Sequence, residues 1–245
     1  MDNNKLGILQ FQIDKIDYPA MLDAIEIAFK EEKQITLTGA NVHTINLSTK
    51  NIKFRKVLNQ IDIIHPDGIG VFLASRFLFG KHGFVSRITG SDFYIQLIKY
   101  SIENGLSLFF FGDVKETLDQ ISKNHPGLKI KGLCNGFDFN NEELIKTINS
   151  SEPDILIVGL GSPKQEDWIV SNKEKIKTKV IIAVGDGIKV FAGIKKRGPK
   201  IIRLIGLEWF ARLVYEPKRL WKRYILGNPI FILRLFKYKL FQRLQ

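Results

Sequence analysis

The chain has 245 residues, 44% of them hydrophobic, one cysteine and a formal net charge of +12. This composition excludes bulk disorder and an internal disulfide framework, and no run approaches the ~20 apolar residues that a bilayer-spanning helix needs. The N-terminal MDNNKLGILQFQ has no basic stretch followed by an apolar one, so no secretory signal and a cytosolic location are expected.

In chain order, strand Gly7–Ile13 precedes helix Pro19–Glu32, and strand Gln34–Thr38 precedes helix Val42–Leu47. Strand Asp62–His65 leads into helix Gly68–Phe79, after which helix Ser91–Asn104 follows with Ser91 as its N-cap. Strand Ser107–Phe111 and helix Lys115–Asn124 come next, then strand Leu128–Leu133 and helix Asn141–Ser150, capped by Asn141. Strand Asp154–Gly159, helix Pro163–Asn172 with proline in its first turn, and strand Val180–Val184 complete the pattern. The runs LFFF and ILIV are apolar without alternation, as in strands covered on both faces. This predicts an α/β fold: a Rossmann-like, mostly parallel sheet with helices on both faces.

After Gly193 the style changes, with a boundary expected near Gly193–Pro199 between a core (1–193) and a basic helical C-terminal appendage (194–245). The appendage holds 14 of the 37 Lys and Arg but only Glu208 and Glu216 among the 25 acids, leaving 23 of each sign before it. Such asymmetry points to a polyanionic partner, whether nucleic acid, anionic lipid or substrate phosphate, against the plainer reading of a solvated basic face. Pro229–Leu244 reads as a moderately amphipathic helix that lies on a membrane and does not cross it.

Five strand ends carry polar or Gly-rich loops: 38–41, 67–70, 111–113, 159–166 and 184–187. On a parallel sheet these should meet at the carboxyl edge, where α/β folds bind ligands. Glycine and helix N-termini there suit a phosphate, so a nucleotide or nucleotide-sugar pocket is expected. GLGSPK lacks the third glycine of the dinucleotide fingerprint, and there is no G-x-x-x-x-G-K-[ST] loop. The histidines at 43, 65, 82 and 125 show no zinc spacing, and no Asp-x-Asp pair is present. No cofactor and no metal are therefore expected, and arginines with backbone N–H groups would neutralise a diphosphate.

TGANVHTINL, HPDGIGV, RITGSDF, FFFG, GLGSPKQEDWI and GLEWFARLVYEPKRLWKRY, in this order from Gln34 to Phe231, resemble the WecG/TagA/CpsF family of bacterial glycosyltransferases (glycosyltransferase family 26). The resemblance implies a Rossmann-like enzyme that transfers a sugar, with inversion and without a metal, from a UDP-sugar donor to a polyprenyl-diphosphate-linked acceptor. It implies work at the cytoplasmic membrane face, in teichoic acid, capsule or related polysaccharide synthesis, on an anionic membrane surface. Asp67 matches the family's D-G aspartate, the implied general base; Asp-Gly is also an ordinary turn. Thr38 and Asn41 match the early Thr/Asn loop, implied to bond substrate. Arg87 and Asp92 match R-x-x-G-x-D, where Asp92 can equally be a first-turn acid. Gln165 and Glu166 match P-x-Q-E-x-W and are both implied to bind substrate, Gln165 at the sugar or diphosphate, while Trp168 is read as core packing. Glu208 and Trp209 divide evenly between packing and function, while Arg212, Arg219 and Arg223 suit a diphosphate. Lys189 stands where members carry an acid, which leaves the donor open among N-acetylmannosamine, its uronic acid and glucose.

Two other classes compete. A nucleic-acid-binding protein rests on the basic, aromatic-rich tail alone, and a binder of that kind has no need of Asp67 or Gln165. A nicotinamide-dependent oxidoreductase lacks its fingerprint. With the glycosyltransferase reading, nucleic acid is not expected as a partner, and a homo-oligomer is left open.

Overall fold

The computed structural model describes residues 4–242. It begins with β1 (Lys5–Ile8) and β2 (Phe11–Asp14), an antiparallel hairpin where one continuous strand is predicted. The apolar pattern runs through the turn, and Leu9 and Gln10 take positive φ values of 51° and 66° with no glycine to announce it. Asp14 then accepts from the Ile64 N–H at 2.7 Å, which seats the hairpin against the main sheet.

The core continues as α1 (Tyr18–Lys30), β3 (Ile35–Ala40), α2 (Val42–Lys50), α3 (Ile52–Leu58), β4 (Ile63–Pro66), α4 (Ile69–Phe79) and α5 (Gly90–Glu103). It closes with β5 (Ser107–Gly112), α6 (Lys115–Asn124), β6 (Lys129–Cys134), α7 (Asn141–Ser151), β7 (Ile155–Gly159), α8 (Lys164–Asn172), β8 (Val180–Ala183) and α9 (Ile188–Phe191). Six strands form one parallel sheet in the order β4-β3-β8-β7-β5-β6, so the predicted α/β class holds. Strand side chains alternate between two buried layers. Phe109, Phe111, Leu156 and Val158 face the layer built from the hairpin, α2, α3, α4, α7 and α8. Leu108, Phe110, Ile155 and Ile157 face α1, α5, α6 and α9. Burial on both sides explains why these strands read as continuous apolar runs.

Local differences from the sequence reading have identifiable causes. Asp62 and Asp154 precede their strands, because each carboxylate accepts from the backbone and hydroxyl of the neighbouring strand's Thr36 or Ser107. α3 was not predicted, yet Asn51 caps it and Phe54 and Leu58 bury one face. α5 starts at Gly90, capped by Thr89 and not Ser91. α7 is capped by Asn140, and Asn141 instead bonds Trp168 Nε1 at 2.7 Å.

Beyond Gly193 come α10 (Lys200–Leu204), α11 (Glu208–Tyr215), α12 (Pro217–Trp221), a π-helical turn at Lys222–Leu226 and α13 (Gly227–Gln242). This segment folds back over the sheet's carboxyl edge. Arg197 reaches Asp92 at 2.6 Å and Glu208 at 3.2 Å, and Arg87 donates to the Arg203 carbonyl. α13 is not a free membrane helix along all its length: Phe231 and Leu235 are buried in the core layer that contains α2 and α4. Asn46 bonds Gly227 O and Arg234, which fixes the helix's start and middle.

Candidate active site

Because β4, β3, β8 and β7 are consecutive neighbours in the sheet, their carboxyl ends bring four of the five loops together. They line a cavity of about 1020 Å³ that the C-terminal segment roofs with Glu208, Trp209, Arg212, Arg219, Arg223 and Tyr224. The fifth loop is spent locally: Asp113 bonds the Val114 N–H and Thr117 and does not reach the cavity.

Asp67 stands on the floor. Its backbone is held by Ala40 O, and Gly68 turns the chain at φ +86°, a conformation that glycine adopts without steric cost, before α4 begins. One carboxylate oxygen accepts from the Gly90 N–H at 2.9 Å, the first residue of α5, whose N-terminus presents the positive end of the helix dipole. The other faces Asn41 Nδ2 at 3.4 Å. Asn41 is itself fixed, because its Oδ1 caps α2 by accepting from the His43 and Thr44 N–H groups. Among the described residues no cation pairs with Asp67, so its charge is free to face a substrate.

The remaining predicted residues divide. Gln165 lines the cavity, with Oε1 taking the Gly161 N–H and Nε2 donating to Glu166 at 2.8 Å. Thr38 and Glu166 lie beneath the floor: Thr38 donates to Glu166 Oε1 at 2.9 Å, and both are fully buried. They position the Gln165 loop and are not on the cavity surface, where sequence reading expects substrate contacts. Glu166 Oε1 also accepts from Ser162, so one carboxylate oxygen gathers β3 and both sides of the loop. Arg87 lines the cavity. Asp92 is a strut: burial works against its charge, but the Thr89 hydroxyl and Arg197 outweigh it and hold the carboxyl below its ordinary value. Trp168 packs on Phe111 at 4.8 Å, in the core as expected. Glu208 anchors Arg197, and Trp209 lies beside Tyr224 at 5.7 Å; both also line the cavity.

Sequence reasoning missed Asp186 and Lys195. Asp186, in the turn after β8, pairs with Lys189 (3.3 Å), Lys195 (3.3 Å), Arg212 (3.0 Å) and Arg219 (3.3 Å). Burial opposes its ionisation, yet the four cations, Lys195 and Arg212 foremost, hold its carboxyl far below the carboxylate range. Burial, with Arg212 nearby, holds Lys195 down to about 8. The base at Lys189 that departs from the family pattern is thus answered by an acid three residues earlier. Gly187 is required here, since a Cβ would lie 2.2 Å from the Tyr94 ring. Arg212 Nε and Arg223 Nε are buried with no hydrogen-bond partner among the described residues. Partial burial, with Arg223 nearby, pushes His43 down to about 4, so it faces the cavity neutral. Asp67, Asp186 and Glu208 are outnumbered in the lining by seven Lys and Arg side chains, which leaves an excess of positive charge and idle donors that suits a diphosphate.

The model of the Glycosyl transferase WecG/TagA/CpsF family matches residues 6–245. The chain is 29% identical over 241 residues to the N-acetylglucosaminyldiphosphoundecaprenol N-acetyl-beta-D-mannosaminyltransferase of Staphylococcus aureus strain MRSA252, covering 96% of this chain and 93% of the relative. The proteins of that name from strains NCTC 8325 / PS 47 and COL match with the same identity and coverage.

Proposed function

The chain belongs to the WecG/TagA/CpsF family and is a glycosyltransferase, and we propose that it moves an N-acetylmannosamine-type sugar from a UDP-sugar to a polyprenyl-diphosphate-linked N-acetylglucosamine. The observation that carries this is the pairing, in one cavity, of an unpaired carboxylate at Asp67 with the cationic wall of Lys195, Arg212, Arg219 and Arg223. Asp67 takes the proton of the acceptor hydroxyl as its oxygen attacks the anomeric carbon. The bond to UDP breaks from the opposite face, the configuration inverts, and the departing diphosphate keeps the electron pair. The cations then meet the charge that develops. Gln165 and the Gly161 loop support the donor side. The identity of the sugar follows the relatives' name, and a panel of UDP-activated N-acetylmannosamine, its uronic acid and glucose tests it with a polyprenyl-diphosphate-N-acetylglucosamine acceptor. Product from the first donor supports the reading. Product from another donor corrects the sugar, and product from none removes the function.

Transfer is metal-independent in this reading, since side-chain cations do the neutralising. Activity is therefore expected to survive excess EDTA. Loss on chelation, restored by Mn²⁺ or Mg²⁺, would place a metal on the leaving group.

The C-terminal segment holds the enzyme at the inner face of the cell membrane in this reading. Among the described residues no helix is long and apolar enough to cross a membrane. Ile201 and Leu204 of α10, Ile205 just after it, Phe210 and Val214 of α11 and Leu233 of α13 are nonetheless exposed, among Lys and Arg side chains. Apolar groups entering the headgroup boundary and basic ones at about 1 kcal/mol each give an interfacial hold. Changing Leu204→Glu and Ile205→Glu together is expected to cut co-sedimentation with anionic vesicles by about tenfold or more, the size of two lost apolar insertions. Unchanged sedimentation would move the contact elsewhere.

A further inference from the structure

The cavity has an apolar arm that neither a sugar nor a nucleotide explains. α4 leaves the floor directly after Asp67 and Gly68, and its Leu73 and Phe77, one turn apart, form one wall. Leu47 of α2 closes the inner side, and Ile230 and Phe236 of α13 form the opposite wall. From Gly68 to Phe77 this surface extends about 13 Å at the rise of an α-helix. Leu73 is 57% exposed although it lines the cavity, so the arm is an open trough and not a closed core. The two walls meet at the far end and are fixed there. Asn46 ties α2 to Gly227 and Arg234, Phe77 packs edge-on to Phe236 at 5.0 Å, and Lys239 caps the far end by bonding Phe77 O with its ammonium over the Phe77 ring.

We propose that this trough binds the first isoprene units of the acceptor's polyprenyl chain, so that α4 and α13 read the lipid while Asp67 reads the sugar. The inference rests on the acceptor class of the proposed function. Its own support is the order of chemistry along the cavity. A carboxylate for the sugar hydroxyl lies at the start of α4, Lys50 and Lys222 also line the cavity and are left over by the UDP leaving group for the acceptor's own diphosphate, and apolar walls continue away from Asp67. An acceptor has the same sequence of groups: sugar, diphosphate, hydrocarbon. Leu73 and Ile232 line the trough and are each half exposed or more, so it opens to the outside beside them, where a chain would pass from the protein into a bilayer. A nucleotide in this position would leave its ribose and base against hydrocarbon walls, with few polar partners.

The test compares two acceptors in detergent micelles, without any bilayer: N-acetylglucosaminyl diphosphate on a full-length polyprenyl chain, and the same headgroup on a short water-soluble alkyl chain. The full-length wild type and Leu73→Glu are measured with both. Leu73 is half exposed, so the variant should fold, and an unchanged UDP affinity verifies this. Leu73→Met serves as the size-preserving control. The expected result is a KM for the long-chain acceptor raised about tenfold or more in Leu73→Glu, the order of a lost Leu-sized apolar contact. The short-chain KM and both kcat values should stay near wild type, and Leu73→Met should behave as wild type. An equal change with both acceptors, or no change with either, overturns the trough while leaving the proposed function intact. Failure of the wild type to use either acceptor overturns the function itself and the trough with it.

Discussion

Replacing Asp67 by asparagine is expected to lower kcat by about 10²–10⁴, the usual worth of a positioned general base, while leaving the melting temperature and UDP affinity near those of the native chain. The exchange is isosteric, and an amide oxygen can still accept from the Gly90 N–H that now holds one carboxylate oxygen at 2.9 Å. The other end of the amide would meet Asn41 Nδ2, which cannot flip away because Asn41 Oδ1 is committed to the start of α2. That donor–donor contact is long, at 3.4 Å, and partly open to the cavity, so its cost is small beside the loss of the proton acceptor. Single-turnover rates with saturating donor separate the chemical step from binding. Retention of more than about a tenth of native turnover, above what loss of a general base allows, would remove Asp67 from that role.

What could be read in advance follows from the range of the interactions. The sheet was legible because strands buried on both faces leave continuous apolar runs, and these runs depend only on local sequence. Asp67 was legible for the same reason: a buried strand, Asp-Gly and an apolar helix are consecutive, and the carboxyl edge follows from strand direction. The hairpin turn at Leu9 and Gln10 was not, since its residues carry none of the usual turn chemistry and the apolar pattern does not pause. Thr38 and Glu166 were assigned to the right region but to the wrong depth. Their bond spans 128 positions in sequence, and nothing local distinguishes a threonine facing a ligand from one facing a buried acid. Asp186 was hidden more completely. Its loop is marked in sequence only by glycines, but its weight comes from Arg212 and Arg219, which are 26 and 33 positions away and arrive only when the C-terminal segment folds back. The same fold-back makes α13 half core and half surface, whereas its sequence alone suggested an interfacial helix.

Asp186→Asn is expected to lower the melting temperature and, at the same time, to enlarge the stabilisation that UDP provides. In the native chain this carboxylate is the shared counter-charge for Lys189, Lys195, Arg212 and Arg219. An amide of the same shape leaves Lys189, Lys195 and Arg212 without that counter-charge, and Arg219 with Glu216 alone at 2.6 Å, around a largely buried point. Breaking a buried ion pair costs 3–5 kcal/mol, but Arg219 and Lys189 are substantially exposed and screened, so about 2 kcal/mol is the appropriate scale. For a chain of this length that corresponds to a fall of roughly 4–8 °C. A diphosphate brings back the negative charge that the substitution removed, and ligand that binds only the folded state stabilises it by mass action. Saturating UDP should therefore raise the melting temperature more in the variant than in the native protein, and inorganic diphosphate should do the same to a smaller extent. The sign with pH is fixed by the depressed native value of Asp186. Its contribution is fully present above the ordinary carboxylate value of about 4 and is lost as pH falls through the lower folded value. The two proteins should thus differ at neutral pH and converge in strong acid. Thermal melts with and without UDP across that range decide the matter. An unchanged melting temperature, or a smaller UDP shift in the variant, would show that the four cations are satisfied by solvent and that Asp186 holds no place for the substrate's charge.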